Sequence, residues 1–210
     1  AEVTRDVLAD VIETILRADD VADAQQEVYE RINTIVYDIK TGEIDASYYA
    51  RPKGMSKHPS AYGSPSNTPL PTYRGAKYAN AHFEWEQLSA GDKPQLLYIE
   101  SGKTGSYPST YPETETKEAG TEVDAIAVSE PSKLPSGVVV DTSKMVEKTL
   151  RDPLTPILSP LNWSFDDALD QQTYHEMNTD EDQGSLSRVL CSINYCRFRI
   201  LFYVVARSML

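Results

Sequence analysis

From Gly42 to Pro71 the chain passes through Pro52, Gly54, Pro59, Gly63, Pro65 and Pro69, and this density of breakers rules out a helix or strand of ordinary length. Whatever fold forms must therefore join a regular unit before Gly42 to further elements after Pro71 by a long looped path. The unit before it is readable. Thr4 is a reasonable N-cap, and Val7, Leu8, Val11, Ile12, Ile15 and Leu16 recur at helical spacing up to the break at Ala18, Asp19 and Asp20. A second helix is expected from about Val21 to Ile39, with Ala24, Val28, Ile32, Ile35 and Val36 on its apolar face and Gly42 ending it. Aliphatic side chains at such spacing make a core, so no chemistry is assigned to this pair.

After Pro71 the pattern is mixed. Residues 73–88 read as a helix with Ala76, Ala79, Phe83 and Leu88 inward, Gly91 to Pro94 as a turn, and residues 95–99 as a short strand. Residues 103–121 are rich in Gly, Ser, Thr, Pro and Glu and are expected to be a mobile surface loop. Residues 123–128 are a second strand candidate. Asp141 or Thr142 then caps a helix over 143–151, followed by a second helical piece over 153–161. The expected class is mainly α with a small β element, α+β, with long loops. No internal repeat is present.

Charge is distributed unevenly. The chain holds 32 acidic residues and a net charge of -12, yet residues 46–83 contain no Asp or Glu. In that stretch Arg51, Lys53, Lys57, Arg74 and Lys77 alternate with Tyr48, Tyr49, Tyr62, Tyr73 and Tyr78. An acidic protein that clears carboxylates from one segment and leaves cations and aromatics there has a surface that tolerates a polyanion, a nucleic-acid backbone first among them. A loop of lopsided charge is the bland alternative. The acidic remainder keeps the protein soluble and is what a high-salt cytoplasm favours.

The end of the chain differs again. From Ser185 onward there are four Arg, no acid, both Cys and an apolar run over 200–205. Arg197 and Arg199 make it a poor membrane span. A buried strand, or sequence out of its proper frame, are the other readings, and no function is built on it. With only Cys191 and Cys196, no disulfide framework organises the fold, and a reducing cytoplasmic setting is expected. No signal peptide or initiator Met opens the sequence, so the chain is expected to begin partway through a larger protein.

Read in order, these segments resemble the C-terminal thumb of family B DNA polymerases, the replicative type of archaea, eukaryotes and many viruses. Residues 11–16 with the helix to Gly42, and the exit Lys40-Thr41-Gly42-Glu43-Ile44, look like the family's opening helical pair. Ala50-Arg51-Pro52-Lys53-Gly54 is similar to its short basic run, followed by Tyr62 and by the Pro-bounded helix entry from Pro71 to Ala79. Gly91-Asp92-Lys93 with Leu96-Leu97-Tyr98-Ile99 resembles the following turn and strand. Residues 134–141, Met145-Val146-Glu147-Lys148 and 153–158 are similar to the terminal helices. The order and spacing of these segments carry the resemblance, over about residues 1–172.

The resemblance implies a helical pair at a palm–thumb junction over 1–45 and a thumb body over 46–172, with its DNA-facing segment at 46–83. It leaves 173–210 as an acidic linker and an atypical tail. It implies that Arg51, Lys53, Lys57, Arg74, Lys77 and Lys93 contact phosphates of primer–template duplex, with Tyr62 and Tyr73 bonding phosphate or packing on sugar. His58 and His82 would add donors. The remainder of the polymerase, palm and exonuclease, would be the protein partner. Charge reversal of Lys53 and Lys77 together is expected to flatten the salt slope of binding by about two units.

Departures bound the expectation. The palm's Tyr-x-Asp-Thr-Asp turn, whose carboxylates hold two divalent metals, does not occur, so no catalytic residue or cofactor is assigned here and Mg would be held by the palm. Gly105 to Ser109 resembles another palm motif only superficially, and Asp180-Glu181-Asp182 reads as solvated surface. Three scattered His and two Cys lack metal-ligand spacing. No nucleophile elbow or Gly-rich phosphate loop is found. The competing functional readings are a non-enzymatic module that docks an acidic protein or RNA, and an inert truncated fragment.

Overall fold

A computed structural model describes residues 1–62, 70–112 and 117–169, and the linker and tail over 173–210 lie outside the described residues. Helices α1 (Glu2–Arg17) and α2 (Val21–Thr41) form the expected packed pair. Asp20 caps α2 by accepting the N–H groups of Ala22 at 2.7 Å and Asp23 at 3.1 Å, and Gly42 closes it in the left-handed region at φ 78°. The buried stripe of α1 is narrower than its periodicity suggests. Val3, Val7 and Val11 are buried against α2, whereas Ile12 and Leu16 are exposed. Thr4 does not cap α1, which starts two residues earlier; its hydroxyl instead donates to the Thr149 carbonyl at 2.7 Å.

Behind that bond lies a proline. The helix α5 (Thr142–Val146) runs through a π turn, Glu147–Arg151, into α6 (Asp152–Leu158), and Pro153 has no N–H to give the Thr149 carbonyl. Widening the turn and taking the Thr4 hydroxyl satisfies that buried acceptor, and it also fastens α1 to the α5–α6 helix. Sequence reading placed two helical pieces here. The structure makes them one helix with a widened middle.

A short helix α3 (Ala46–Tyr49) leads into β1 (Arg51–Pro52), which is only two residues long. Strand β2 (Gln95–Thr104) is central: β1 pairs with its start, β3 (Ala125–Val128) with Gln95 through Tyr98, and β4 (Val138–Val140) with its later part, all antiparallel. Sequence reading missed β1 and β4. Helix α4 (Pro71–His82) packs on one face of this sheet, where Tyr78, Ala79 and Phe83 meet Ile99, Ile126 and Val128. Leu96, Tyr98, Ala125 and Ala127 join the core built with α1, α2 and the α5–α6 helix. The fold is mainly helical α+β with a small antiparallel sheet.

Two features set the position of α4. A Cβ at Gly75 would lie 2.8 Å from the Ala127 nitrogen, so only glycine lets this helix approach β3 so closely. The helix stops at His82, not near Leu88, because Asn80 takes over the next segment. Its side chain donates to the Leu88 carbonyl and accepts the Leu88 N–H, both at 2.8 Å.

The described part of the 103–121 insert is anchored. Thr110 bridges to Glu122, the Tyr78 hydroxyl donates to the Pro108 carbonyl at 2.6 Å, and Tyr111 is buried. Polar composition alone suggested a mobile loop. In its described parts, two aromatic rings and a β-bridge tie it to α4 and to the segment that leads into β3.

Candidate nucleic-acid interface

The basic run at residues 50–54 is part of an extended ribbon. Beyond the β1–β2 pairing of Arg51 with Leu96 and Pro52 with Gln95, the Lys53 N–H donates to the Pro94 carbonyl at 2.9 Å and the Met55 N–H to Asp92 at 2.9 Å. The Gly91 N–H returns to the Met55 carbonyl at 2.7 Å. Gly91, at φ +92°, makes the turn that brings Lys93 back alongside. Met55, Pro59 and Pro94 are buried beneath this ribbon and fix it to the core. Pro59, one of the breakers that forbid a longer strand, thus helps to anchor a short one.

On its surface sit the cations. Lys53, Lys57 and Lys93 are exposed and Arg51 is half-buried, and the stem of Lys93 passes 4.0 Å from where a Gly54 Cβ would be. Arg51 and Lys53 lie near the start of α1. Among the described residues none of the four makes an ion pair. Asp92, the nearest acid in sequence, is turned back to accept the Ser89 N–H at 2.7 Å.

Arg74 and Lys77 lie elsewhere and are engaged. The Arg74 Nε and Nη2 donate to the two carboxylate oxygens of Asp124 at 2.9 and 2.6 Å, a fork-on-fork pair whose Arg side chain is only 12% exposed. The Tyr111 hydroxyl lies 2.9 Å from Asp124 Oδ1 and accepts the Ala125 N–H at 3.2 Å. Burial alone would raise the Asp124 pKa, but the hydrogen bond and charge of Arg74 with the Tyr111 hydroxyl outweigh it and hold the carboxyl below its ordinary range. Lys77 Nζ sits 3.2 Å from Glu118 Oε1, on a carboxylate that is 4% exposed. The adjoining cleft, about 520 Å³, is lined by Glu118, Glu122 and Asp124 as well as by Arg74. Lys117 lines it too, but Arg74 and Lys77 are already paired with two of these carboxylates, which makes the cleft a poor place for a phosphate. Arg74 and Lys77 are therefore withdrawn as backbone contacts, and with Lys77 the double charge reversal loses half its rationale.

The tyrosines are also accounted for. Tyr62 and Tyr73 stack with ring centroids 3.3 Å apart, and the Tyr62 hydroxyl shares a 2.9 Å bond with Ser56. Tyr73 is buried, so of the pair only half-buried Tyr62 borders the ribbon surface. His58 shares its Nδ1 with the Ser60 hydroxyl at 2.7 Å. His82 is not a surface donor: its Nε2 is buried, and burial lowers its pKa.

Compared with known protein families and with curated proteins, the chain finds no match. Its reading rests on its own geometry. Among the described residues, no cluster of three or more His, Cys, Asp or Glu is placed to hold a metal ion. No described helix is long and apolar enough to cross a membrane.

What sequence reasoning missed was spatial pairing. Asp124 and Glu118 are 50 and 41 residues from their partners, and nothing in the acid-free segment announces them. The rung that sets Lys93 beside Lys53 was equally hidden, because Pro52 and Gly54 read as loop.

Proposed function

We propose that residues 1–169 form the duplex-gripping thumb of a family B DNA polymerase. In this reading Arg51, Lys53, Lys57 and Lys93 hold the phosphates of primer–template DNA without reading its sequence. The observation that carries the proposal is the ribbon itself: exposed Lys53 and Lys93 and half-buried Arg51 on a backbone-braced, core-anchored strand pair, with exposed Lys57 just beyond it and no ion pair to any of the four among the described residues. Such charges keep their full interaction for a polyanion, and a braced ribbon loses little entropy in presenting them. The net charge of -12 does not forbid contact. At physiological ionic strength screening acts over about 8 Å, so the local cluster outweighs distant acids.

Four phosphate contacts predict a fall of log affinity with log salt of slope about -3 to -4 on duplex. Chemistry would belong to the palm, with its metal ions, and none is assigned to this chain. The direct test is binding to a fluorescent primer–template duplex and to a single strand of equal length, titrated from low salt to molar KCl. Preference for duplex with a slope in that range supports the thumb. Equal binding to both strands, or none by a folded chain, overturns it in favour of a protein- or RNA-docking module.

A further inference from the structure

A separate groove of about 570 Å³ lies between the C-terminal turn of α2 and the α5–α6 helix. Lys40, Ser143, Lys144 and Arg151 line it, together with Asp141 and Glu147. Its two carboxylates are already engaged. Asp141 Oδ1 accepts the Lys144 backbone N–H at 2.8 Å, and Glu147 Oε1 is 2.7 Å from the Lys148 Nζ. Arg151 pairs with Asp166 and lies over the Phe165 ring at 5.6 Å. The two ammonium groups are different. Lys144 Nζ rests 4.7 Å from the centre of the Tyr98 ring, and neither it nor Lys40 makes an ion pair among the described residues.

An open, partly apolar groove with three cations to two acids in its lining, and with two ammonium groups that make no ion pair among the described residues, calls for an anion. A carboxylate offers two oxygens. Two ammonium groups, a guanidinium edge and the Ser143 hydroxyl suit the larger oxygen set of a phosphate better. The volume exceeds that of one phosphate and fits a ligand of metabolite size, and Val146 and Leu169 supply an apolar wall for its organic part. We propose that this groove binds the phosphate or diphosphate group of a small molecule, at a site distinct from the basic ribbon and independent of the DNA reading.

Pyrophosphate is the probe. Titrated calorimetrically into the full chain, with ³¹P line broadening as a second readout, it is expected to bind saturably. Lys40→Ala with Lys144→Ala should weaken it by about tenfold or more, while Lys53→Ala with Lys93→Ala, which removes only the ribbon's diffuse attraction, should weaken it by about twofold at most. Lys40→Ala alone, at an exposed position, guards against a folding defect and should give part of the loss. The proposal is overturned if pyrophosphate does not saturate, if the ribbon variant weakens it equally, or if the groove variant weakens duplex DNA but leaves pyrophosphate untouched. That last result would make the groove a nucleic-acid contact and not a small-molecule site.

Discussion

Two halves of one acid-free segment meet opposite fates. Around Arg51 and Lys53 the backbone pairs with the turn before β2 and leaves its cations facing solvent, whereas Arg74 and Lys77 on α4 are turned inward onto Asp124 and Glu118. Their charge is the same and their consequence is not. Cations on the ribbon remain available to a ligand, while those on α4 hold Glu118 and Asp124 against the helix. Freedom from acid along the chain is therefore not freedom from acid in space.

The sharpest way to break this comparison is to remove a partner from each region. Asp124→Ala removes both carboxylate oxygens from a guanidinium that is 12% exposed and takes an acceptor from the Tyr111 hydroxyl, so urea unfolding should show a loss of about 2 to 3 kcal/mol. The lower end is expected because the Asp124 side chain is 34% exposed. Lys53→Ala should stay within about 0.5 kcal/mol. Equal losses at the two sites would erase the distinction.

Next in size is the fit of α4 on the sheet. Gly75→Ala would press a methyl group against backbone atoms of Ile126 and Ala127 that cannot give way as a side-chain tip would, and a loss of about 2 kcal/mol is expected in the same unfolding assay. Because the helix must then lift from β3, the Arg74–Asp124 pair should loosen with it. A double-mutant cycle between Gly75→Ala and Asp124→Ala would show this as a double-mutant loss smaller than the sum of the two single losses.

A smaller effect comes from pH. The Asp124 pKa is depressed in the folded protein, so its contribution is complete above the ordinary carboxylate range and is lost as pH falls through the folded value, well into acid. Tyr48 behaves in the opposite sense. Burial first, then its 2.8 Å bond to Asp6, pushes it up to about 12, and burial with the Asp124 charge likewise raises Tyr111. Both stabilise the fold below the ordinary tyrosine value near 10, and stability should fall as pH rises from there through 12. Melting temperatures across pH 2 to 12 should thus decline at both ends. Asp124→Ala should reduce the acid-side decline, while Tyr48→Phe should reduce the alkaline one.

The legible parts of this molecule were those set by local rules. The spacing of Val28, Ile32, Ile35 and Val36 gave α2, Gly42 gave its end, and Gln95 to Ile99 gave the core of β2, because helical period, a left-handed cap and an apolar run each act within a few residues. The lysines of the ribbon were likewise visible as charge. What could not be read was spatial: the Arg74–Asp124 fork, the Tyr62–Tyr73 stack, and the bond across 145 residues from Thr4 to the Thr149 carbonyl that Pro153 leaves open in the π turn. Each depends on which segments the fold brings together, and a residue's type does not encode that.

The central claim is that the ribbon, and not the α4 cations, is the polyanion surface. The measurement that tests it most directly is the salt dependence of duplex binding for the wild-type chain and for Lys53→Ala with Lys93→Ala, each confirmed folded by circular dichroism. The account predicts that the slope flattens by about two units and that affinity falls to a similar degree on every duplex sequence. An unchanged slope, or a loss confined to particular sequences, would contradict it.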